Sequence, residues 1–357
     1  MTRIAILGAA GFIGNRAVEY FHDRPGYSVQ PIVRRLSSAA LAGRLGYECR
    51  IADAADGRSL QGAFEGCDIV LCATAGSPDE IVGAIPPIFQ AASDVGVKKL
   101  IYLSSASVHG QAPLPGTTED SPLPRRHQLP YNAAKARAEQ RLHELGRRGS
   151  LPYAILRPGI VYGPRSQWIG GFADALLDGS AYLVDGGQGI CNAIYVDNLL
   201  HAVERSIESD AGDGIPLLVG DRETVTWADL LGPVARALGF SPESLPRPAA
   251  QDILEAKTPV RARLRSAAAG AMQHLPPRIV QTIRAAKRAA FPRGSARPGR
   301  KIAFSRETAL LHSCAVKLPS DKAARLIGYE PGYGFADGIA RSLAWLDFAG
   351  YPVECER

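Results

Sequence analysis

The chain has 357 residues, of which 46% are hydrophobic and 21% charged, and it carries a net charge of +6. This length suits one large α/β domain with a second lobe, or two domains, and the composition excludes a disordered or fibrous chain. The six cysteines form no C-x-x-C pair and no Cys/His cluster with metal-ligand spacing, so no metal is expected. The start "MTRIAILGAAG" lacks the apolar run and cleavage site of a signal peptide, and no run of about 18 apolar residues suggests a membrane span. The expectation is a cytoplasmic protein with reduced thiols.

Residues 3–8, "RIAILG", read as a short buried strand ending in glycine, followed by a helix from about 13 to 22. Further strands are expected at 27–34, 47–53, 67–74, 97–105 and 151–159, with helical stretches between most of them, including 81–96 and 132–146. Strands apolar along their whole length that alternate with helices imply a parallel sheet covered on both faces. After Gly159 the pattern becomes irregular: a loop and helix over 163–179, a strand or turn leading into a helix over 190–207, and a Thr-started helix within 223–239. Two helices around a Gly/Pro turn close the chain over 320–351.

Charge is uneven. Residues 246–301 hold thirteen Lys and Arg against two Asp and Glu, a net +11 that exceeds the whole chain's +6, so the remainder is slightly acidic. A solvated helix packed on the lobe, a phosphate-bearing or otherwise acidic substrate, and peripheral membrane contact through 278–291 are the readings of this segment, in that order. Nucleic acid is not expected, since no recognised module or aromatic interleaving accompanies the charge.

"GAAGFIG" places Gly8, Gly11 and Gly14 between a strand and a helix, where a tight turn, close backbone approach and free helix N–H groups suit a pyrophosphate. At the end of the second strand, where an NAD site usually carries an acidic residue, stand Arg34 and Arg35. A guanidinium suits a 2′-phosphate, so NADP is expected over NAD. Tyr131 and Lys135 in "YNAAK" lie four apart, at helical spacing, which by itself fits two polar residues on the wet face of a helix as well as a pair that moves a proton.

With these motifs in order, the chain resembles the extended short-chain dehydrogenase/reductase family (NAD-dependent epimerase/dehydratase-like). "IADAAD", "SSASVHG", "LRPGIVYGP" and "IYVDNLLHA" are similar to further motifs of that family. The resemblance implies an α/β fold: a Rossmann doubly wound parallel sheet over 1–165, with 190–210 returning to it, and a smaller, mostly helical substrate lobe over 166–357. It implies Ser105, Tyr131 and Lys135 as catalytic residues, Tyr131 being the acid/base. It implies cofactor contacts at Gly8, Gly11, Phe12, Ile13, Gly14, Arg34, Asp53, Ala73, Tyr131, Lys135 and Pro158. Ser104 and Ser107 read as strand-end and turn caps, and His109 as a packing or hydrogen-bonding residue. Ala106 and Ser107 stand where dehydratases of the family carry Asp-Glu, and Cys191 stands where epimerases often carry a diphosphate-gripping arginine. The expected activity is therefore an NADP-dependent oxidoreductase acting on a ketone/secondary alcohol. The alternative is a nucleotide-sugar epimerase with tightly bound NAD. The substrate is a small molecule, with a sugar nucleotide or phosphate-bearing compound among the options, and a homodimer is a reasonable form.

Overall fold

The computed structural model describes residues 1–256 and 302–354. Its strands are β1 (Thr2–Leu7), β2 (Tyr27–Val33), β3 (Arg50–Ile51), β4 (Ile69–Cys72), β5 (Lys99–Leu103), β6 (Tyr153–Pro158), β7 (Ile160–Tyr162), β8 (Ile190–Cys191), β9 (Ala193–Tyr195), β10 (Pro216–Val219) and β11 (Val225–Thr226). Seven of them form one parallel sheet in the order β10-β6-β5-β4-β1-β2-β3. The chain winds outward from β1 to β3, then starts again at β4 on the other side of β1. Ligands of such sheets sit beyond the strand C-termini at that reversal. Ile4 lies beside Val29 on one neighbour and Ile69 on the other, which fixes the register at the centre.

The first half is crossed by α1 (Phe12–His22), α2 (Ala40–Gly43), α3 (Gly57–Phe64), α4 (Pro78–Gly83), α5 (Ile85–Asp94) and α6 (Pro130–Gly146). The second half contributes α7 (Gln167–Leu177), α8 (Val196–Glu208), α9 (Trp227–Ala237), α10 (Ala250–Glu255), α11 (Arg306–His312), α12 (Asp321–Ile327) and α13 (Phe335–Phe348). Strand alternation sorts the core into two layers. Ile4 and Ile6 pack on one face with Phe21 and Leu199, and Ala5 and Leu7 on the other with Phe89 and Leu142. Every residue of β4, β5 and β6 is buried, as strands covered on both faces require.

Several elements differ from the sequence expectation, three of them in the central sheet and its covering helices. The strand expected over 47–53 pairs only at Arg50 and Ile51, because it is the sheet edge and Ile51 is left 52% exposed. The stretch 81–96 is two helices parted at Ala84, since Pro86 and Pro87 have no N–H to give the preceding turn. The edge strand β10 was not anticipated; four residues, "PLLV", are too short to show a period. The remaining lobe follows expectation more closely, with Thr226 and Asp229 forming a capping box on α9 and Gly328 ending α12 in the left-handed region. No described helix is long and apolar enough to cross a membrane. The helix expected over 278–291, and residues 257–301 of the basic segment, lie outside the described residues.

Candidate active site

The glycine turn lies at the β1 end of the reversal point. Gly8 has φ +93°, and a Cβ there would stand 2.8 Å from the Ala73 carbonyl oxygen, across on the loop after β4. A Cβ on Gly14 would stand 2.2 Å from the Gly8 oxygen, so only glycine lets α1 sit this close to the turn. Gly11 is the N-cap of α1, with no side-chain cap and no acidic residue in the first turn that holds Phe12 and Ile13. The helix therefore presents its positive end to an anion without an internal competitor. These residues fit the pyrophosphate of a dinucleotide.

Arg34 follows β2, and its Nη1 lies 3.4 Å from Glu80 Oε1, both side chains being well exposed. Glu80 belongs to the capping box of α4: Ser77 N–H donates to it at 2.8 Å and holds its carboxyl below the usual range. A carboxylate thus already faces the guanidinium that was expected to meet a 2′-phosphate. Asp53 is exposed after β3 and accepts the Ala55 N–H at 3.0 Å. Ala73 donates its N–H to the Leu7 oxygen, which locks the β4 loop beside the glycine turn.

Ser105, Tyr131 and Lys135 come from two elements. Ser105 follows β5 and caps the short turn Ala106–His109, its Oγ accepting from Ser107 N–H at 3.2 Å and lying 2.9 Å from Ser107 Oγ. Tyr131 and Lys135 lie in the first turns of α6, which packs on that short turn. Tyr131 keeps 40% of its surface exposed. Burial of its hydroxyl end pushes the phenol up from its ordinary value, opposed by a hydrogen bond with Ser105. Lys135 is 3% exposed, and its Nζ donates to the Leu103 oxygen at 2.7 Å and to Tyr102 Oη at 3.3 Å. Its ammonium lies 6.0 Å from the Tyr131 ring centre. Burial lowers Lys135 to about 8. Pro158, the last residue of β6, is buried beside Val219 of β10.

Behind Ser105 lies a buried network that sequence reasoning missed. Arg157 donates to Glu139 through Nε (3.0 Å) and Nη2 (2.6 Å), and its Nη1 donates to His109 Nε2 at 3.0 Å and to the Glu119 oxygen at 3.2 Å. Burial first, and then Arg157, lower His109 to about 4, so it accepts as the neutral ring. Ser104 donates to Glu139 instead of capping its strand, and the turn expected to be capped by Ser107 is capped by Ser105. An arginine inside a strand as apolar as "YAILRP" was the available signal, because a buried charge needs a partner. Asp197 of the "YVDN" motif holds Arg16 of α1 by two bonds, and Asn198 donates to Asp221 at 2.7 Å. Both serve to dock α8 and the lobe onto the sheet.

A cleft open to solvent runs from Ser105 and Ser107 toward Trp227 and Leu311. Cys191 does not reach it: the side chain is fully buried, and burial pushes its thiol well up.

A glycine cradle at the reversal point of a doubly wound parallel sheet defines a dinucleotide-binding α/β protein. The model of the NAD dependent epimerase/dehydratase family matches residues 4–220. The chain belongs to that family, and is an NAD(P)-dependent enzyme of the extended short-chain dehydrogenase/reductase type. It is 29% identical over 267 residues to a 3-diazoavenalumate denitrifying reductase of Streptomyces sp, covering 67% of this chain and 83% of that one. It is 27% identical to a 3beta-hydroxysteroid-dehydrogenase/decarboxylase of Arabidopsis thaliana, covering 56% of this chain but 39% of the relative. A UDP-glucose 4-epimerase of Vibrio cholerae is 30% identical over 44% of this chain and 48% of its own length. Among solved structures, the NAD complex of dTDP-glucose 4,6-dehydratase from Bacillus anthracis superposes with a TM-score of 0.70 at 16% identity, covering 98% of each chain, a likeness of fold.

Proposed function

We propose that this enzyme moves hydride between NADP and a ketone/secondary alcohol, with Tyr131 as acid/base, Ser105 on the substrate oxygen and Lys135 beside both. The observation that carries this reading is the meeting of Ser105, an accessible Tyr131 and a buried Lys135 at the sheet end that also holds the glycine cradle. The nicotinamide supplies or accepts the hydride. In the reducing direction Tyr131, neutral at pH 7, donates its proton to the oxygen as the carbonyl carbon takes hydride, and the resulting phenolate faces the Lys135 ammonium. Lys135 has three N–H groups and gives two to Tyr102 and Leu103, which leaves one for a nicotinamide ribose hydroxyl. Two relatives named as a reductase and a dehydrogenase are in keeping with net hydride transfer. Arg34 would bind the 2′-phosphate by exchanging Glu80 for it. The division at residue 165 would leave the substrate to the second lobe.

Epimerisation with retained NAD is the second reading, favoured by the 30% identity to a UDP-glucose 4-epimerase. Cofactor retention separates the two. Under the proposal, NADP raises the melting temperature more than NAD does, and protein denatured after purification releases no stoichiometric NAD. Stoichiometric NAD, with epimerisation and no net cofactor turnover, would establish the epimerase instead.

A further inference from the structure

We infer that the cleft beside Ser105 takes an uncharged, largely apolar ketone or secondary alcohol and rejects a sugar nucleotide. The inference rests on the oxidoreductase reading for the reactive group and on the cleft wall for the rest of the ligand. Beyond Ser105 and Ser107 the wall is mainly apolar, built from Pro113, Ile160, Ile190, Trp227, Leu311 and Leu318. No Lys or Arg lines it among the described residues.

The polar atoms that do border the cleft are mostly engaged. Asn192 Nδ2 donates to the Val316 oxygen at 2.9 Å, and its Oδ1 accepts the Leu318 N–H at 2.7 Å. Both ends of that amide therefore hold the 316–318 segment in place. The Trp227 indole N–H donates to the Leu311 oxygen at 3.2 Å, and its ring stacks on His312 with centroids 4.5 Å apart. The Ser105 and Ser107 hydroxyls, at one end, are left as the pair able to address a single ligand oxygen.

Charge at the mouth points the same way. Gln111, on the wall, reaches the exposed carboxylate of Glu307 at 3.5 Å, and Glu307 also acts electrostatically on Tyr131. The adjoining cavity is bordered by Arg157 and Lys317, but Arg157 is bound to Glu139 and Lys317 donates to the Asp221 oxygen at 2.7 Å. A diphosphate entering the cleft would lose its hydration, meet the Glu307 carboxylate at its mouth and find no Lys or Arg among the described residues of the cleft wall itself. An apolar body would instead exchange water for matching surface.

The full-length protein, saturated with NADP, is titrated with 2-decalone, 2-tetralone and UDP-glucose while intrinsic tryptophan fluorescence is followed. The ketones should bind saturably and UDP-glucose at least tenfold more weakly. Ile190→Trp and Leu311→Trp, each filling the cleft from a different element, should weaken ketone binding at least tenfold with NADP affinity unchanged. This is read by calorimetry, so a misfolded variant is recognised by its lost cofactor binding. Absence of saturable ketone binding, tighter binding of UDP-glucose, or ketone binding indifferent to both well-folded variants overturns the inference. Turnover is scored separately with NADPH at 340 nm: ketone bound without hydride transfer counts against the oxidoreductase reading and leaves the ligand class standing.

Discussion

The glycine cradle and the apolar cleft beside Ser105 are built on opposite plans. The cradle comes from one short run, Gly8 to Gly14, with its shape enforced by backbone contacts that only glycine permits. The cleft wall draws on residues near 106–113, 160, 190–192, 227 and 311–318, brought together by side-chain bonds such as those of Asn192. A cradle specified by local backbone geometry can serve any substrate, whereas a wall assembled from distant segments can change lining without disturbing the sheet. Under the proposed function, the cradle would supply the chemistry and the wall would select what undergoes it.

The largest expected effect breaks the buried network behind Ser105. Glu139→Ala strands the Arg157 guanidinium in the core, and should cost about 3–5 kcal/mol of unfolding free energy in urea. A loss below about 1 kcal/mol would mean that His109 and the Glu119 carbonyl suffice for Arg157.

Lys135 sharpens the comparison on the catalytic side. Burial lowers its folded value from 10.5 to about 8. Between those pH values the unfolded chain holds one more proton than the folded chain, so this group's contribution to stability rises with pH, by up to about 3 kcal/mol. Subtracting the pH–stability curve of Lys135→Met from that of the wild-type apoprotein should leave that rise. A flat difference would place the ammonium in contact with water.

The smallest effect concerns the rim of the cradle. Arg34→Ala should lower the NADP/NAD affinity ratio about tenfold, the worth of one charge-assisted contact, and Glu80→Gln should raise it by freeing Arg34. NAD binding as tightly as NADP in the wild type would remove Arg34 from cofactor selection.

Legibility in the sequence followed the same divide. The central strands and the glycine turn were readable because burial on both faces and a tight turn each leave a local mark. The engagement of Glu139 by Ser104 and the short strand Pro216–Val219 were not, since each depends on partners far away in the chain. Asn192 and Leu311 gave no sequence signal at all: an ordinary amide and an ordinary leucine acquire a role only where β8, α9 and α11 meet.

The central claim is net hydride transfer with Tyr131 as the proton carrier. It is tested most directly by following NADPH at 340 nm with a ketone that binds the cleft, for the wild type and Tyr131→Phe side by side. The account predicts many turnovers per wild-type molecule, and a fall in kcat of about 10²–10⁴ in the variant with cofactor affinity retained. Equal rates for the two proteins would contradict it.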